Sequence, residues 1–476
     1  MKRTKIICTL GPACNNEKAM REMLLAGMNV ARFNMSHGDH EEHKGRMDMF
    51  KNVRKELNMP AAMLLDTKGP EIRLKDFENG SVILNDGDDF VLTSEEVLGN
   101  QERVSITYKD LPKDIKDGGK ILIDDGKVTL KVISHNEKDI FCKVLYGGKI
   151  SNHKGVNVPS VHLNMPYLSD VDKDDLLFGI QEDVDYVAAS FVRNQEDVIA
   201  IRNFLDYHGG NQIKIIAKIE NQEGIDNFDE ILEVANGVMV ARGDMGVEVD
   251  YEKLPGIQKR FIKKCRQVGK IVVTATQMLE SMVTNPSPTR AEISDVANAV
   301  FDGTTAIMLS GETANGKYPV QTVKTMAKIA LRAEKDAFDL DVYDLVVASA
   351  DADHTQAISH ATCTTAEDLK AKAIITVTQI GTTAWRIAKF RPRVPIVAAT
   401  PDLKTYHQLA LTWGVYPVLS RPQNTTDKLF AHAIFCAKAN GYVKPGDTVV
   451  LTAGVPLGVS GGTNTLKVEK VPQNNY

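Results

Sequence analysis

The chain has 476 residues, enough for two to four domains at about 100–200 residues each. With 43% hydrophobic and 25% charged residues it has the composition of a globular protein, not of a disordered one. Its 57 Lys+Arg against 62 Asp+Glu leave a formal charge of −5, which argues against bulk nucleic-acid binding but leaves room for a local basic phosphate site. No apolar run approaches the ~18 residues needed to span a bilayer. The basic start Met1-Lys2-Arg3-Thr4 leads into an apolar stretch that ends at Gly11-Pro12, too short for a signal-peptide core. The six cysteines are scattered, with no Cys-x-x-Cys pair. They are expected to be buried small hydrophobes of a reduced, cytoplasmic protein with no membrane or nucleic-acid partner.

Short β-branched runs recur, most of them followed by helical patterns. They are Ile6–Cys8, Asn29–Phe33, Ala62–Asp66, Tyr186–Ser190, Ile213–Ile219, Val238–Ala241, Ile271–Ala275 and Ala306–Leu309. Helical patterns such as Glu196–Tyr207 and Ile257–Val268 lie between them. Eight alternating units predict an α/β fold, a (β/α)8 TIM barrel, with an open doubly wound sheet as the alternative. Between Pro70 and Pro166 the pattern changes to strict alternation, punctuated by Asn79-Gly80, Asp86-Gly87, Asp125-Gly126 and Gly147-Gly148. This predicts an inserted antiparallel β domain hinged at the two prolines. After about Ala337, apolar runs at Ala373–Val377, Ile396–Ala399, Val415–Leu419 and Thr448–Leu451 alternate with helices and end in a hairpin near Thr465–Val471. The expected division is a barrel from 1–69 and 167–337, an inserted β-barrel lid from 70–166, and a C-terminal α/β domain from 338–476.

Catalytic groups of a parallel barrel come from the C-terminal strand ends. Seven consecutive strand ends here carry charge or a hydroxyl, from Arg32–Gly38 and Asp66–Arg73 to Ser310-Gly311-Glu312. Lys218 and Glu220 are two apart on one strand and face the same way. Alone they fit an ion pair at the barrel rim. With Asp244 one strand on, Glu220 could hold a hard divalent cation. Arg32, Arg73 and Arg242 on the same face then favour an anion site, with Lys218 set against a phosphate or a developing enolate. Asn34, Ser36, Asp66 and Thr67 offer oxygen ligands for a hard cation, although their spacing alone fits turn capping. Gly311–Lys317 nearly matches a phosphate-binding loop but has Tyr318 where a hydroxyl should follow. Asp39-His40 and His43 are expected to be solvated.

Taken together, several segments make the chain resemble the pyruvate kinase family. They are Cys8–Pro12, Ala31–Gly38, Leu65–Arg73, Lys154–Asn157, Ile216–Asn221, Met239–Asp244, Ala275–Glu280 and Met308–Ala314, in order along nearly the whole chain. The resemblance implies phosphoryl transfer from phosphoenolpyruvate to ADP, giving pyruvate and ATP in glycolysis. It implies that Glu220 and Asp244 hold Mg2+ (or Mn2+). It further implies that Lys218 stabilises the phosphoryl group and enolate, that Arg32 binds phosphate, and that Thr276 sits near the proton donor. Gly243, Asp244 and Ser310 would lie at the substrate end, supported by Glu312. Asn34, Ser36, Asp66 and Thr67 match the family's K+ ligands, and Glu71 resembles the K+-dependent group. Asn34, His37, Arg73 and, from the lid, Lys154 would contact the nucleotide. In the C-terminal domain Thr378, Gly381, Thr382 and Thr383 align with an effector loop for fructose bisphosphate, another sugar phosphate or AMP, closed by Val459–Thr465. The family implies a homotetramer. The end at Tyr476 implies none of the additional C-terminal domain that some bacterial members carry. Two other readings use the same residues: a Mg2+-dependent lyase or aldolase, and a silent sugar-phosphate sensor. The insert with Lys154 argues against the first, and the intact Arg32, Lys218, Glu220, Asp244 and Thr276 argue against the second.

Overall fold

In the computed structural model, residues 1–159, 161–343, 353–457 and 462–473 are described. Eight parallel strands close into a barrel: β1 (Lys5–Thr9), β2 (Val30–Asn34), β3 (Ala62–Asp66), β4 (Tyr186–Ala189), β5 (Lys214–Ile219), β6 (Gly237–Ala241), β7 (Ile271–Ala275) and β8 (Ala306–Leu309). The order is sequential around the barrel, β8 pairing back onto β1, so the open sheet is excluded. Side chains alternate across each strand. Ile7, Val30, Leu64, Tyr186, Ile216, Met239, Val273 and Met308 fill the barrel interior. Their neighbours Ile6, Ala31, Phe33, Leu65, Val187 and Ala217 face the surrounding helices. Buried on both faces, these strands read as the continuous apolar runs seen in the sequence.

The segment after β3 forms an open seven-stranded sheet and a separate two-stranded one, not a closed barrel by its ladders. All but one of its pairings are antiparallel; Asp89–Thr93 and Arg103–Ser105 run parallel. The parallel pair needs a crossover, which the loop around Glu95–Asn100 supplies; alternation alone does not reveal the direction of a strand. This sheet encloses its own core around Phe90, Leu92, Ile121, Leu130 and Ile140.

The C-terminal sheet has the order β11–β10–β9–β12–β13, from β9 (Ala373–Val377), β10 (Ile396–Thr400), β11 (Val415–Leu419), β12 (Thr448–Ala453) and β13 (Thr465–Lys470). β12 and β13 are the expected antiparallel hairpin. This unit closes the bottom of the barrel: Ala410 and Leu411 join the barrel-interior cluster, and Tyr186 donates its hydroxyl to the Gln408 carbonyl at 2.7 Å. The opposite, C-terminal end of the strands stays open beneath the inserted sheet. All six cysteines are buried and free. No described helix is long and apolar enough to cross a membrane.

Candidate active site

A cleft of about 820 Å3 lies between the strand ends and the inserted sheet. Arg32, Asn34, Ser36, His37, Arg73, Lys154, Lys218, Glu220 and Asp244 line it. At its floor is a buried charge network. Arg32 Nε donates to Asp66 Oδ2 at 2.6 Å and its Nη1 to Thr9 Oγ1 at 2.8 Å. Lys218 Nζ donates to Ser190 Oγ at 2.7 Å and to Asp66 Oδ1 at 3.1 Å. Its third neighbour, Glu220 Oε1, lies 3.1 Å away. Burial alone would raise the Asp66 carboxyl, but Arg32 and Lys218 outweigh it and hold it below the usual range. Burial likewise opposes the Lys218 charge, but Asp66 and Glu220 win and raise its pKa, so the ammonium stays charged.

Glu220 is compensated only in part, by Lys218 at 3.1 Å. Its Oε2 accepts the Phe191 N–H at 2.6 Å, an amide that reaches it because Phe191 takes a left-handed φ of 54°. Its Oε1 is buried without a hydrogen bond. Burial, opposed by Lys218 and reinforced by Asp244, pushes its pKa up to about 8. A fully buried carboxylate with an orphaned oxygen and a second carboxylate as neighbour fits a hard divalent cation, which would keep Glu220 ionised. Among the described residues no cluster of three or more acidic, His or Cys groups forms a cation cage. The remaining ligands would therefore have to come from substrate and water. Asn34, Ser36, Asp66 and Thr67 supply only oxygen atoms beside Arg32, a donor set that suits K+.

The other expected residues distribute as follows. Asp244 lies in the first turn of the helix Arg242–Glu248, and the Gly243 N–H donates to Thr276 Oγ1 at 2.8 Å. Thr276 and Gln277 follow β7 at φ 70° and 54°. For a β-branched residue this is a strained conformation of the kind that clusters at functional sites. Thr276, Gly243 and Ser310 are not among the residues that line the cleft, although Asp244, next to Gly243, is. Glu312 is fully buried and braces two loops, accepting N–H groups of Leu279 at 3.1 Å and Ser310 at 2.7 Å. Arg242 does not join the anion site. It is held by Asp295 at 2.8 Å and by the carbonyls of Ala275 and Thr276, because it points back across β7. Glu71 pairs with Arg73 at 2.6 Å, and Arg73 also donates to the His153 carbonyl of the lid. Lys154 is tied within the lid to Asp124 at 2.9 Å.

His43 is a correction: it is buried, not solvated, packed against Phe33 with Nε2 2.7 Å from the His37 carbonyl. The helix His40–Glu56 turns that face inward. His40 is half-buried against Asp175 at 2.7 Å and stacked on Phe178. Gly311–Lys317 is no phosphate loop: Gly311–Ala314 is a helical turn, and the segment lines neither the cleft nor the cavity of the C-terminal unit. The sequence offered Ser190 as a strand-end hydroxyl without a role, and gave no sign of the Phe191 amide or of the lid contact from Asn157 Nδ2 to Glu248 Oε1 at 3.0 Å.

In the C-terminal unit a second cavity of about 480 Å3 is lined by Thr378, Thr382, Thr383, Arg386 and Arg421. Gly381 is not in its lining; at φ 89° it donates its N–H to Thr378 Oγ1 and shapes the turn. Thr383 Oγ1 lies 2.7 Å from Thr463 Oγ1 of the expected closing loop. Residues 459–461 of that loop lie outside the described residues.

Comparison with known proteins agrees over the whole length. Residues 1–323 match the family description "Pyruvate kinase, barrel domain", and residues 356–469 match "Pyruvate kinase, alpha/beta domain". A pyruvate kinase of Clostridium acetobutylicum is 51% identical over 476 residues, covering 99% of this chain and 100% of the relative. One from Geobacillus stearothermophilus is 49% identical over 472 residues, covering 99% of this chain and 80% of the relative. A crystal structure of a pyruvate kinase from Cryptosporidium parvum superposes with a TM-score of 0.92 at 37% identity, covering 99% of this chain and 96% of that one. With both halves matched in order and the barrel, insert and C-terminal sheet shared, the chain belongs to the pyruvate kinase family and is an enzyme of that family.

Proposed function

We propose that the enzyme transfers the phosphoryl group of phosphoenolpyruvate to ADP, giving pyruvate and ATP in the last step of glycolysis. The observation that carries this is the convergence of Arg32, Lys218, Glu220 and Asp244 at the floor of one lidded cleft. Phosphoryl transfer needs positioned charge more than covalent chemistry, and this floor supplies positioned charge. Glu220 and Asp244 would hold Mg2+ (or Mn2+), which when bound would supply Lewis-acid neutralisation of charge on phosphoryl and enolate oxygens. Arg32, locked by Asp66 and Thr9, presents its remaining N–H groups to the substrate phosphate. Lys218 donates to Ser190 and Asp66 and pairs with Glu220 at 3.1 Å, so the ammonium is held charged at the cleft floor, where it would meet the transferring group. Thr276, with Gly243, Asp244 and Ser310, lies at the substrate end, where the enolate must be protonated. Asn34, Ser36, Asp66 and Thr67 hold K+, with Glu71 as the determinant of that requirement. Asn34, His37, Arg73 and Lys154 contact ADP when the lid, residues 70–166, closes on the barrel of 1–69 and 167–337 and excludes water.

The C-terminal domain, 338–476, binds a phosphorylated effector in its cavity. Thr378, Thr382 and Thr383 would bind the phosphate around the turn that Gly381 shapes, with Arg386 and Arg421 adding charge. Family resemblance adds a homotetramer acting in the cytoplasm.

The test is pyruvate and ATP production from phosphoenolpyruvate and ADP with Mg2+, in K+ and in K+-free buffer. K+-dependent turnover supports the reaction and the cation site together. Equal turnover in both buffers keeps the reaction and discards K+. No turnover, even with sugar phosphates or AMP added, favours the lyase or sensor reading. Lys218→Met is expected to cut turnover by about 10²-fold or more with an unchanged melting curve, the order seen when one transition-state donor is lost.

A further inference from the structure

We propose that Ser190 is a positioning residue that couples the monovalent-cation site to Lys218. The inference rests on the pyruvate kinase reading above. Ser190 directly follows β4, between the two groups of residues, and is 2% exposed. A hydroxyl has one proton to give and lone pairs to accept with. The Ser190 hydroxyl lies 2.6 Å from the Thr67 carbonyl and 3.2 Å from Asp66 Oδ1. The single proton goes to the nearer acceptor, Thr67. The lone pairs then face Lys218, whose Nζ donates to Ser190 Oγ at 2.7 Å, closer than its contacts with Asp66 and Glu220 at 3.1 Å.

The backbone holds this hydroxyl from three sides. The Ser190 N–H donates to Thr67 Oγ1 at 3.2 Å, and Tyr167 donates its hydroxyl to the Ser190 carbonyl at 2.8 Å. Gly69, at φ 76°, packs so closely that an added Cβ would sit 2.9 Å from the Ser190 Cβ. One residue on, the Phe191 N–H fixes Glu220. The turn after β4 therefore touches three things at once: the Asp66-Thr67 oxygens, the transferring lysine and the divalent-cation carboxylate. The Thr67 carbonyl orients the hydroxyl, and its polarisation would increase with a cation at the Asp66-Thr67 oxygens. The ammonium two bonds further along the chain of contacts would be repelled by the same charge. Beside the direct Lys218–Asp66 contact at 3.1 Å, Ser190 is the neutral link through which the Thr67 carbonyl positions Lys218 while that group stays against Glu220.

The test is steady-state kinetics of Ser190→Ala, with K+ and phosphoenolpyruvate varied separately, beside a substrate-free K+ titration followed by the melting temperature, in which the variant should need more K+ than the unaltered chain for the same rise. The expected result is a kcat reduced by about 10- to 100-fold, the order produced by misplacing a catalytic group by about an ångström. The KM for phosphoenolpyruvate should change little, and the K+ concentration for half-maximal rate should rise. Ser190→Cys keeps the shape and a weak donor and is expected to fall between the two. If Ser190→Ala fails to fold by its melting curve, Ser190→Cys gives the decisive K+ titration. A lowered kcat with an unchanged K+ half-saturation overturns the coupling, as does an unchanged kcat. Failure of the underlying reading is distinguishable, because the unaltered chain would then make no pyruvate at all.

Discussion

Glu312 illustrates how one buried carboxylate holds a site together. Neither of its oxygens faces the cleft; they accept the N–H groups of Leu279 and Ser310 and so tie the loops after β7 and β8 to each other. Burial pushes its pKa up, and the backbone N–H groups of Glu312 itself, Leu279 and Ser310 offset that only in part. Glu312→Gln keeps the shape but turns an NH2 group toward one of these amides. It is expected to lose about 1–3 kcal/mol of stability, the cost of a buried donor left without an acceptor. A urea-denaturation midpoint compared with the unaltered protein checks this. The residue scale also shows the limit of spacing arguments. Lys218, Glu220 and Asp66 stood out from their places at strand ends. The orphaned oxygen of Glu220 and the amide of Phe191 did not, because a backbone donor in a left-handed turn has no letter of its own in the sequence.

At the level of elements, the lid meets the barrel through a few polar contacts and not through a shared apolar core. Its own core is separate from that of the barrel. Asn157, on the strand Gly155–Asn157, donates to Glu248 at the end of the helix Arg242–Glu248. His162 Nδ1 lies 3.0 Å from Glu223 Oε2 on the other side of the cleft. Such contacts can form and break as the lid moves. Asn157→Ala is expected to raise the KM for ADP by about fivefold, since a net hydrogen bond is worth about 1 kcal/mol, while the KM for phosphoenolpyruvate changes less. Separate substrate titrations decide it; equal rises in both KM values would assign Asn157 to the substrate floor instead of the lid. The hinge prolines and turn dipeptides made the inserted unit visible in the sequence. The openness of its sheet and its one parallel pairing were not visible, because strand direction depends on how connections cross in space.

The whole molecule is held by the docking of the C-terminal unit against the bottom of the barrel. Leu411 is fully buried in the barrel-interior cluster. Leu411→Ala should cost about 2–5 kcal/mol by removing buried methyl groups and leaving a cavity beneath the strands. The melting temperature should fall, while the catalytic residues at the opposite end keep their geometry. Beside this contact lies His407, with Lys404 paired to Asp183 at 2.6 Å and Arg54 within 3.6 Å of Asp185. Burial, with Arg54 and Lys404 adding repulsion, lowers the His407 pKa to about 3. Between that value and the ordinary 6.5, the unfolded chain binds a proton that the folded one excludes. Stability contributed by neutral His407 is thus complete above about pH 6.5 and drains away as pH falls toward 3. His407→Gln is expected to flatten the melting temperature across pH 4 to 6.5; an unaltered slope would assign the acid sensitivity elsewhere.

By itself the sequence determined the elements and their kind. Eight apolar runs with intervening helical periodicity sufficed for a barrel, and Ala62–Asp66, Ile271–Ala275 and Ala306–Leu309 appear in the structure with the bounds read from their letters. Local patterning encodes burial and period, so it is legible residue by residue. It also identified the carriers of charge at the strand ends, since a barrel dictates which end of each strand faces the cleft. Only the tertiary structure decided how those charges are shared. Arg242, expected beside Arg32, is claimed by Asp295 and two carbonyls. Ser190, a residue of no particular character, becomes the contact between Thr67 and Lys218. A guanidinium or a hydroxyl binds whatever acceptor the fold brings within about 3 Å, and residues far apart along the chain come that close only after the barrel has closed.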